Sequence, residues 1–180
     1  LNQGDGTFGP ADNVPILASS LGVAIAIGPR SSAEELAVAE EPSLRIVVAV
    51  QTPKTYALEE LRRAPATSET VYFNTGKGPV RATFTGVLLW SLLQEAGIAV
   101  DPAVKNDILR HTIAVTGSDG YRVVLSAGEL DPEFGGELAI LAYARDGQPL
   151  GPNGGFVRLI VPGDKGGGRN VASIVEIEVR

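Results

Sequence analysis

The loop at residues 162–169, PGDKGGGR, contains the residue types that could bind an anion. Consecutive glycine N–H groups can form an anion-binding nest, and Lys165 and Arg169 add positive charge. The loop is not a nucleotide-binding P-loop, because it lacks the Gly-Lys-(Ser/Thr) ending and a following helix. Asp164 would weaken the binding of an anion. A flexible connection between two strands is the alternative interpretation of this loop.

Side chains suited to catalysis are scarce in this sequence. It contains one histidine, His111, and no cysteine. His111 stands beside Arg110 at the start of an expected strand, without a metal partner or a recognisable nucleophile, which favours a structural role over general-base catalysis. The lack of cysteine excludes structural disulfides and thiolate metal sites. The sequence therefore predicts no catalytic residue and no metal ligand.

Length and charge limit the class of protein and its partners. The chain has 180 residues, enough for one domain with a proper core. A formal net charge of -6, with no local basic stripe, makes nucleic acid a poor partner. The longest apolar run, residues 21–27, is far shorter than a membrane span, so we expect a soluble chain.

The composition also bears on where the protein works. The sequence contains no methionine, so Leu1 cannot be the translation start. We expect a periplasmic or secreted protein whose signal peptide has been removed, although a trimmed sequence would look the same.

The apolar pattern predicts more strands than helices. The expected strands cover residues 44–50, 70–73, 111–116, 121–125, 138–144, 157–161 and 172–179. The Ser118-Asp119-Gly120 sequence marks a tight hairpin, because Asp-Gly tolerates the positive φ values that such a turn requires. In the last strand, the alternation assigns one face to Ile174, Glu176 and Glu178, and the opposite face to Val175, Ile177 and Val179. The pattern predicts an α+β domain with a mixed or antiparallel sheet and a few helices.

Two helices are expected within this domain. The first has Thr55 as its N-cap and ends at Pro65, with Glu59 and Arg63 spaced to pair. The second covers residues 86–96, with Gly97 after its last residue. Its polar stripe consists of Ser91, Gln94 and Glu95. The residues expected to be buried are Leu89, Leu92 and Leu93.

The first 43 residues form a separate segment. Residues 1–15 suit an exposed arm, residues 23–27 a short strand, and residues 31–41 a helix that stops before Pro42. We expect residues 1–43 to be an N-terminal extension packed on the main domain, which covers residues 44–180.

Four segments occur in an order that resembles a known family. They are LRIVVAVQTPKTYALEELRRA at residues 44–64, FTGVLLWSLLQEAG at 84–97, GSDGY at 117–121 and LAYARDGQPLGPNGGFVRLIVPGDKGGGR at 141–169. This order resembles the molybdopterin-binding domain of the sulfite-oxidase type. The resemblance covers residues 44–180 and implies that family's fold, whereas the first 43 residues match nothing recognisable.

The resemblance also implies a position for the site. In this family a cysteine holds the molybdenum, and alignment of the family's Glu-Cys-x-Gly-Asn-Gly loop with FNTGKG at residues 73–78 places Asn74 at the cysteine position. A neutral amide oxygen is a weak, hard ligand and does not replace a thiolate. The cofactor-binding positions implied by the resemblance are Asn74, Thr75, Gly76, Lys77, Asp119, Tyr121, Arg158, Lys165 and Arg169. The loop from residue 74, the Asp119 hairpin and the loop from residue 165 should then converge on one depression.

These observations leave more than one function open. The first hypothesis is a non-catalytic protein that uses the former cofactor cleft to bind a small anionic ligand or a protein partner, with no cofactor expected. The alternative is a molybdopterin-dependent oxidoreductase of the sulfite oxidase family with an atypical metal shell, since the resemblance keeps molybdopterin open as a cofactor. A third is a domain that serves only for interaction. Whether the protein is an enzyme is therefore undecided by the sequence.

Overall fold

Two five-stranded sheets form the part of the chain that this computed structural model describes, residues 41–180. The first sheet has the order β2 (Lys54–Ala57), β1 (Ser43–Val48), β10 (Ile174–Val179), β5 (Thr112–Gly117) and β6 (Arg122–Ser126). Strands β1 and β10 are parallel, and the other neighbours are antiparallel. The expected strand at residues 23–27, the helix from residue 31 and the packing of the N-terminal extension lie outside the described residues.

The second sheet is antiparallel throughout. Its order is β3 (Thr67–Thr75), β4 (Gly78–Leu88), β7 (Ile140–Arg145) and β8 (Gln148–Pro149), and β9 (Arg158–Ile160) also pairs with β7. Three short helices complete the elements, α1 (Leu58–Arg63), α2 (Leu89–Ala96) and α3 (Ala127–Leu130). The predicted α+β class with mixed sheets and few helices is confirmed. No helix among the described residues is long and apolar enough to cross a membrane.

Strand β7 is buried on both faces of the second sheet, which explains its continuous apolar run. Successive side chains of a strand point to opposite faces. Leu141 and Leu159 belong to the main core with residues of the first sheet and α2. Ile140 and Ile160 belong to a second cluster with Phe73 and other residues on the opposite face. The expected burial of the helix leucines is confirmed, because Leu89, Leu92 and Leu93 are 0–2% exposed.

The first predicted helix begins later than expected. Thr55 is not its N-cap, because Thr55 lies in β2 opposite Arg45 of β1. Pairing with the edge of the sheet satisfies the backbone there, and the helix starts at Leu58. The carboxylate of Glu60 accepts a hydrogen bond of 2.7 Å from the Ala57 N–H. The expected pairing of Glu59 with Arg63 is also wrong, since Glu59 pairs with Arg62 at 2.8 Å.

The second predicted helix is shortened for a packing reason. Residues 86–88 end strand β4 instead of starting α2, and they pair with residues 140–142 of β7. A Cβ atom on Gly86 would collide with the Leu141 carbonyl oxygen and with the Ala142 Cα. Glycine at this position therefore allows a close approach of two strands, and the helix begins only at Leu89.

The face assignment of the last strand is partly wrong. The register between β10 and β5 shifts between Ile174 and Glu176, and Ser173 just before it has a φ of 49°. A bulge of this kind reverses the order of faces. Ile174 is consequently buried together with Ile177 and Val179, and Val175 is exposed.

Candidate functional site

Three loops that are distant in sequence meet at one edge of the fold. The Asn74 N–H donates a hydrogen bond of 2.9 Å to the Lys165 carbonyl, and Asn74 forms a bridge with Gly166. The Tyr121 hydroxyl donates a hydrogen bond of 2.7 Å to the carbonyl of Gly168. The loop that contains Lys165 therefore contacts both of the others. We call residues 74–78, 118–121 and 163–169 the three-loop site.

Local hydrogen bonds shape the first two loops. In the turn between β3 and β4, the Thr75 hydroxyl donates to the Gly78 carbonyl at 2.8 Å and accepts the Lys77 N–H at 3.1 Å. In the hairpin between β5 and β6, the Asp119 carboxylate accepts the Tyr121 N–H at 2.9 Å, and Gly120 has a φ of 81°. The Asp119 side chain thus shapes the turn, as Asx-turns do.

The third loop is held against strand β3 by close packing. A Cβ atom on Gly167 would lie 2.9 Å from the ring of Phe73, which is buried. Gly163 has a φ of 80° at the start of the loop. Gly163 therefore allows the loop to turn, and Gly167 allows it to pack closely on Phe73, so these two glycines have a structural role that is independent of any ligand.

The positive charges of the site differ in their surroundings. Lys77 and Lys165 are exposed, and neither forms an ion pair with a described residue. Arg169 instead binds the Asp164 carboxylate through two hydrogen bonds of 2.9 and 2.7 Å, and the Glu129 carboxylate at 2.7 Å. These bonds, with Asp164 first, raise the pKa of Arg169. Two carboxylates therefore offset the single charge of Arg169.

The contact of Arg169 with Glu129 was not predicted from the sequence. Burial, and then the nearby Glu129, raise the pKa of Glu137. Glu129 lies 40 residues before Arg169, and the two meet only because α3 packs beside the loop, so no local pattern could signal the contact. The effect of Asp164 on anion binding stays a prediction, and in the structure its carboxylate binds Arg169.

Arg158 makes no described contact with the three-loop site. It is on β9 opposite Ala142, and its Nε is buried without a hydrogen-bond partner among residues 41–180. Burial, and then the neighbouring charge of Arg145, lower the pKa of Arg158. The Arg145 guanidinium itself lies 5.8 Å from the centre of the Phe84 ring. No hydrogen bond or ion pair within the described residues joins Arg158 to the three loops.

His111 has a structural setting, as the sequence favoured. Its Nε2 lies 3.3 Å from Oδ2 of Asp107, and its Nδ1 is buried without a partner among the described residues. The Asp107 carboxylate also accepts the Asp101 N–H and binds Arg110. The backbone N–H of Asp101 is the main cause that lowers the pKa of Asp107, with smaller contributions from His111 and Arg110.

The donor atoms present do not fit the molybdenum centre that the resemblance implies. Asn74 is exposed at the aligned cysteine position, and its backbone is bound to the Lys165 loop. The whole chain has no cysteine or methionine, so it offers no sulfur ligand anywhere. Residues 41–180 contain no group of three His, Asp or Glu side chains that could hold a metal ion.

Comparisons with known proteins agree with this fold. The chain is similar to a solved structure, the sulfane dehydrogenase SoxCD from Paracoccus pantotrophus, with a TM-score of 0.62 and 21% identity. The match covers 76% of this chain but only 37% of that chain, so it bears on the fold alone. No curated protein matches the sequence. The family model described as the oxidoreductase molybdopterin binding domain matches residues 33–180, which is most of the chain, and confirms the resemblance. This protein therefore belongs to the oxidoreductase molybdopterin-binding domain family.

Proposed function

We propose that this chain is a non-catalytic binding protein, which has the family's fold and uses the three-loop site to bind a small anion. The observation that carries the proposal is the residue at the aligned cysteine position, Asn74, which is exposed and whose backbone is bound to the Lys165 loop. An amide cannot supply the charged, soft sulfur on which the family's metal depends. It can still donate and accept hydrogen bonds to a bound ligand.

The charges around Asn74 support a small anion as the ligand. Lys77 and Lys165 both belong to the three-loop site, and both are exposed without a carboxylate partner among the described residues. Gly166 and Gly168 are exposed, so a ligand can approach the backbone between the lysines and the Asp119 hairpin. Arg169 contributes little attraction, because Asp164 and Glu129 already offset its charge. The lysines are therefore the charged residues that would hold the anion.

Calorimetric titration of the protein with inorganic phosphate and with pyrophosphate tests this proposal. Binding should weaken as salt is added, because exposed charges are screened within about 10 Å at 0.1 M salt. Replacing Lys77 and Lys165 together by Gln should weaken pyrophosphate binding by on the order of tenfold, as expected for the loss of two exposed charge contacts worth up to about 1 kcal/mol each.

Lys105→Gln provides the matched control. Lys105 is also exposed, and it lies outside the three-loop site. The control variant should bind pyrophosphate as the wild type does. Equal affinity of the wild type, the double variant and the control would show that the two lysines do not contact the anion. An absence of binding to the wild type would refute the proposal that the protein binds small phosphate anions.

We also propose that the protein is exported to the periplasm or secreted. The absence of cysteine supports this, since no thiol would be exposed to an oxidising compartment. Fractionation of cells that carry the full natural gene would test it. Recovery of the protein only in the cytoplasmic fraction would contradict the proposal.

A further inference from the structure

A pocket of about 360 Å³ lies beside helix α2, and none of its lining residues belongs to the three-loop site. It opens between α2, the 3-10 turn at Asp107–Arg110 and the end of α3. Its volume is within the range of roughly 300–1,000 Å³ that is usual for small-molecule sites. The lining includes Trp90, Gln94, Ile98, Val100, Ile108 and Asp131. Asp131 is the ionisable residue of this lining, and the remainder is mostly apolar.

Asp131 is a mostly buried acidic residue in this apolar wall. It is only 9% exposed, at the C-cap of α3. One carboxylate oxygen, Oδ1, accepts the Glu133 N–H at 2.9 Å. No cationic side chain among residues 41–180 forms an ion pair with Asp131. The second oxygen forms no hydrogen bond within residues 41–180 and is not enclosed, so a cation that enters the pocket can reach it and form a charge-assisted hydrogen bond.

The Trp90 side chain gives the pocket a second preference for positive charge. It lies in the first turn of α2, partly buried against the main core. A tryptophan face attracts organic cations through its quadrupole more strongly than tyrosine or phenylalanine does. Ile98, Ile108 and the 47% exposed Val100 add apolar surface that would be covered by the body of a ligand.

We infer that this pocket binds a small organic cation, an amine attached to a compact apolar group. The amine would donate to the free oxygen of Asp131, and the apolar group would lie against Trp90 and Ile108. A neutral ligand of the same shape would leave Asp131 without a counter-charge, and an anionic ligand would be repelled by it. The ligand class thus differs from the anion of the proposed function, and the two sites can be tested separately.

Intrinsic fluorescence can report binding directly, because Trp90 is the single tryptophan of the chain. The probes are phenethylamine, phenethyl alcohol and hydrocinnamate, which share a phenyl ring and differ in charge. Phenethylamine should change the tryptophan emission in a saturable way. Its affinity should exceed that of the alcohol by on the order of tenfold or more, because one charge contact of about 1.4 kcal/mol gives this factor. Hydrocinnamate should cause no saturable change.

Two variants make the test specific to Asp131. Asp131→Asn keeps an oxygen that can accept the Glu133 N–H, so the fold should survive while the charge is lost. This variant should bind phenethylamine no better than phenethyl alcohol. Glu133→Gln removes an equal charge from an exposed neighbour outside the pocket, and it should bind like the wild type. Equal affinity of the wild type for the amine and the alcohol, no saturable change with phenethylamine, or an unaffected Asp131→Asn protein would each overturn the inference.

Discussion

Arg169 and Lys165 illustrate how residues of one type in one loop can have different roles. The sequence assigned both to the charged wall of an anion site. In the structure Arg169 holds Asp164 and Glu129, whereas Lys165 projects without a carboxylate partner among the described residues. Arg169 therefore fixes the loop to α3, and Lys165 is the side chain that is free to meet a ligand.

The stability of variants should separate these two roles. Arg169→Gln leaves two carboxylates without their partner, so we expect it to lower the free energy of unfolding by roughly 1 kcal/mol, a modest value because the groups are partly exposed. Lys165→Gln makes the same change in charge and should leave the free energy unchanged within error. Urea denaturation of both variants measures the difference. Equal stability of the two variants would show that the Arg169 contacts do not hold the loop.

Asp107 should make stability depend on pH in the acid range. Its pKa is lowered in the folded protein, mainly by the Asp101 N–H and further by His111 and Arg110. A lowered pKa contributes stability that is complete above the unfolded value of about 4, and that is lost as the pH falls through the folded value. Asp107→Asn should therefore be less stable than the wild type at neutral pH, and the gap should narrow below about pH 4.

Thermal melting from neutral pH down to acid tests this expectation. Asn at position 107 can still accept the Asp101 N–H, so the variant isolates the charge. Asp119→Asn is a matched control on an exposed turn that keeps its own local acceptor. A constant gap between wild type and Asp107→Asn across the acid range would contradict the assigned role of the carboxylate.

At the scale of elements, α2 is the helix whose packing was most readily predicted. Its three leucines recur at helical spacing and all are buried in the main core. Leu92→Ala should cost about 2–5 kcal/mol in the free energy of unfolding, as large-to-small changes in packed cores do. Ser91→Ala, on the exposed face of the same helix, should cost much less. A Leu92→Ala protein that unfolds like the wild type would contradict this packing.

The close approach of the paired strands β4 and β7 depends on Gly86. Its missing side chain leaves room for the backbone of Leu141 and Ala142. Gly86→Ala should destabilise the protein by about 1–3 kcal/mol or more, because the backbone must shift to accept the methyl group. Gly76→Ala is the control, since a Cβ there would meet no atom within 4 Å. Comparable melting temperatures for the two variants would refute the close approach.

Tertiary contacts explain which element boundaries the sequence could not predict. Residues 86–88 are apolar and fit the start of a helix, but pairing with β7 keeps them extended. Residue 55 suits an N-cap, but pairing with β1 places it in a strand. The bulge before Glu176 has no signature in the alternating sequence. Local patterns predicted most strands and the burial of α2, whereas these exceptions arise from neighbours 10 or more residues away in sequence.

At the scale of the whole molecule, the order of motifs predicted the fold and the meeting of the three loops. The loops come together through contacts of Asn74 with Lys165 and of Tyr121 with Gly168, which join segments up to 91 residues apart in sequence. The partners of Arg169 and the position of Arg158 could not be predicted, because they depend on side-chain directions and on α3. The ligand-binding role of all nine candidate residues stays a prediction.

The proposed function requires that this protein does not use the family's metal. The most direct test is metal analysis of the purified protein after expression in a host that makes the molybdenum cofactor and is supplied with molybdate, beside a cysteine-bearing family member as the positive control. We predict stoichiometric molybdenum in the control and far less than one atom per chain in this protein, because Asn74 and a chain without sulfur cannot supply the ligand. Stoichiometric molybdenum in this protein would refute the proposed function and would favour an oxidoreductase with an atypical metal shell.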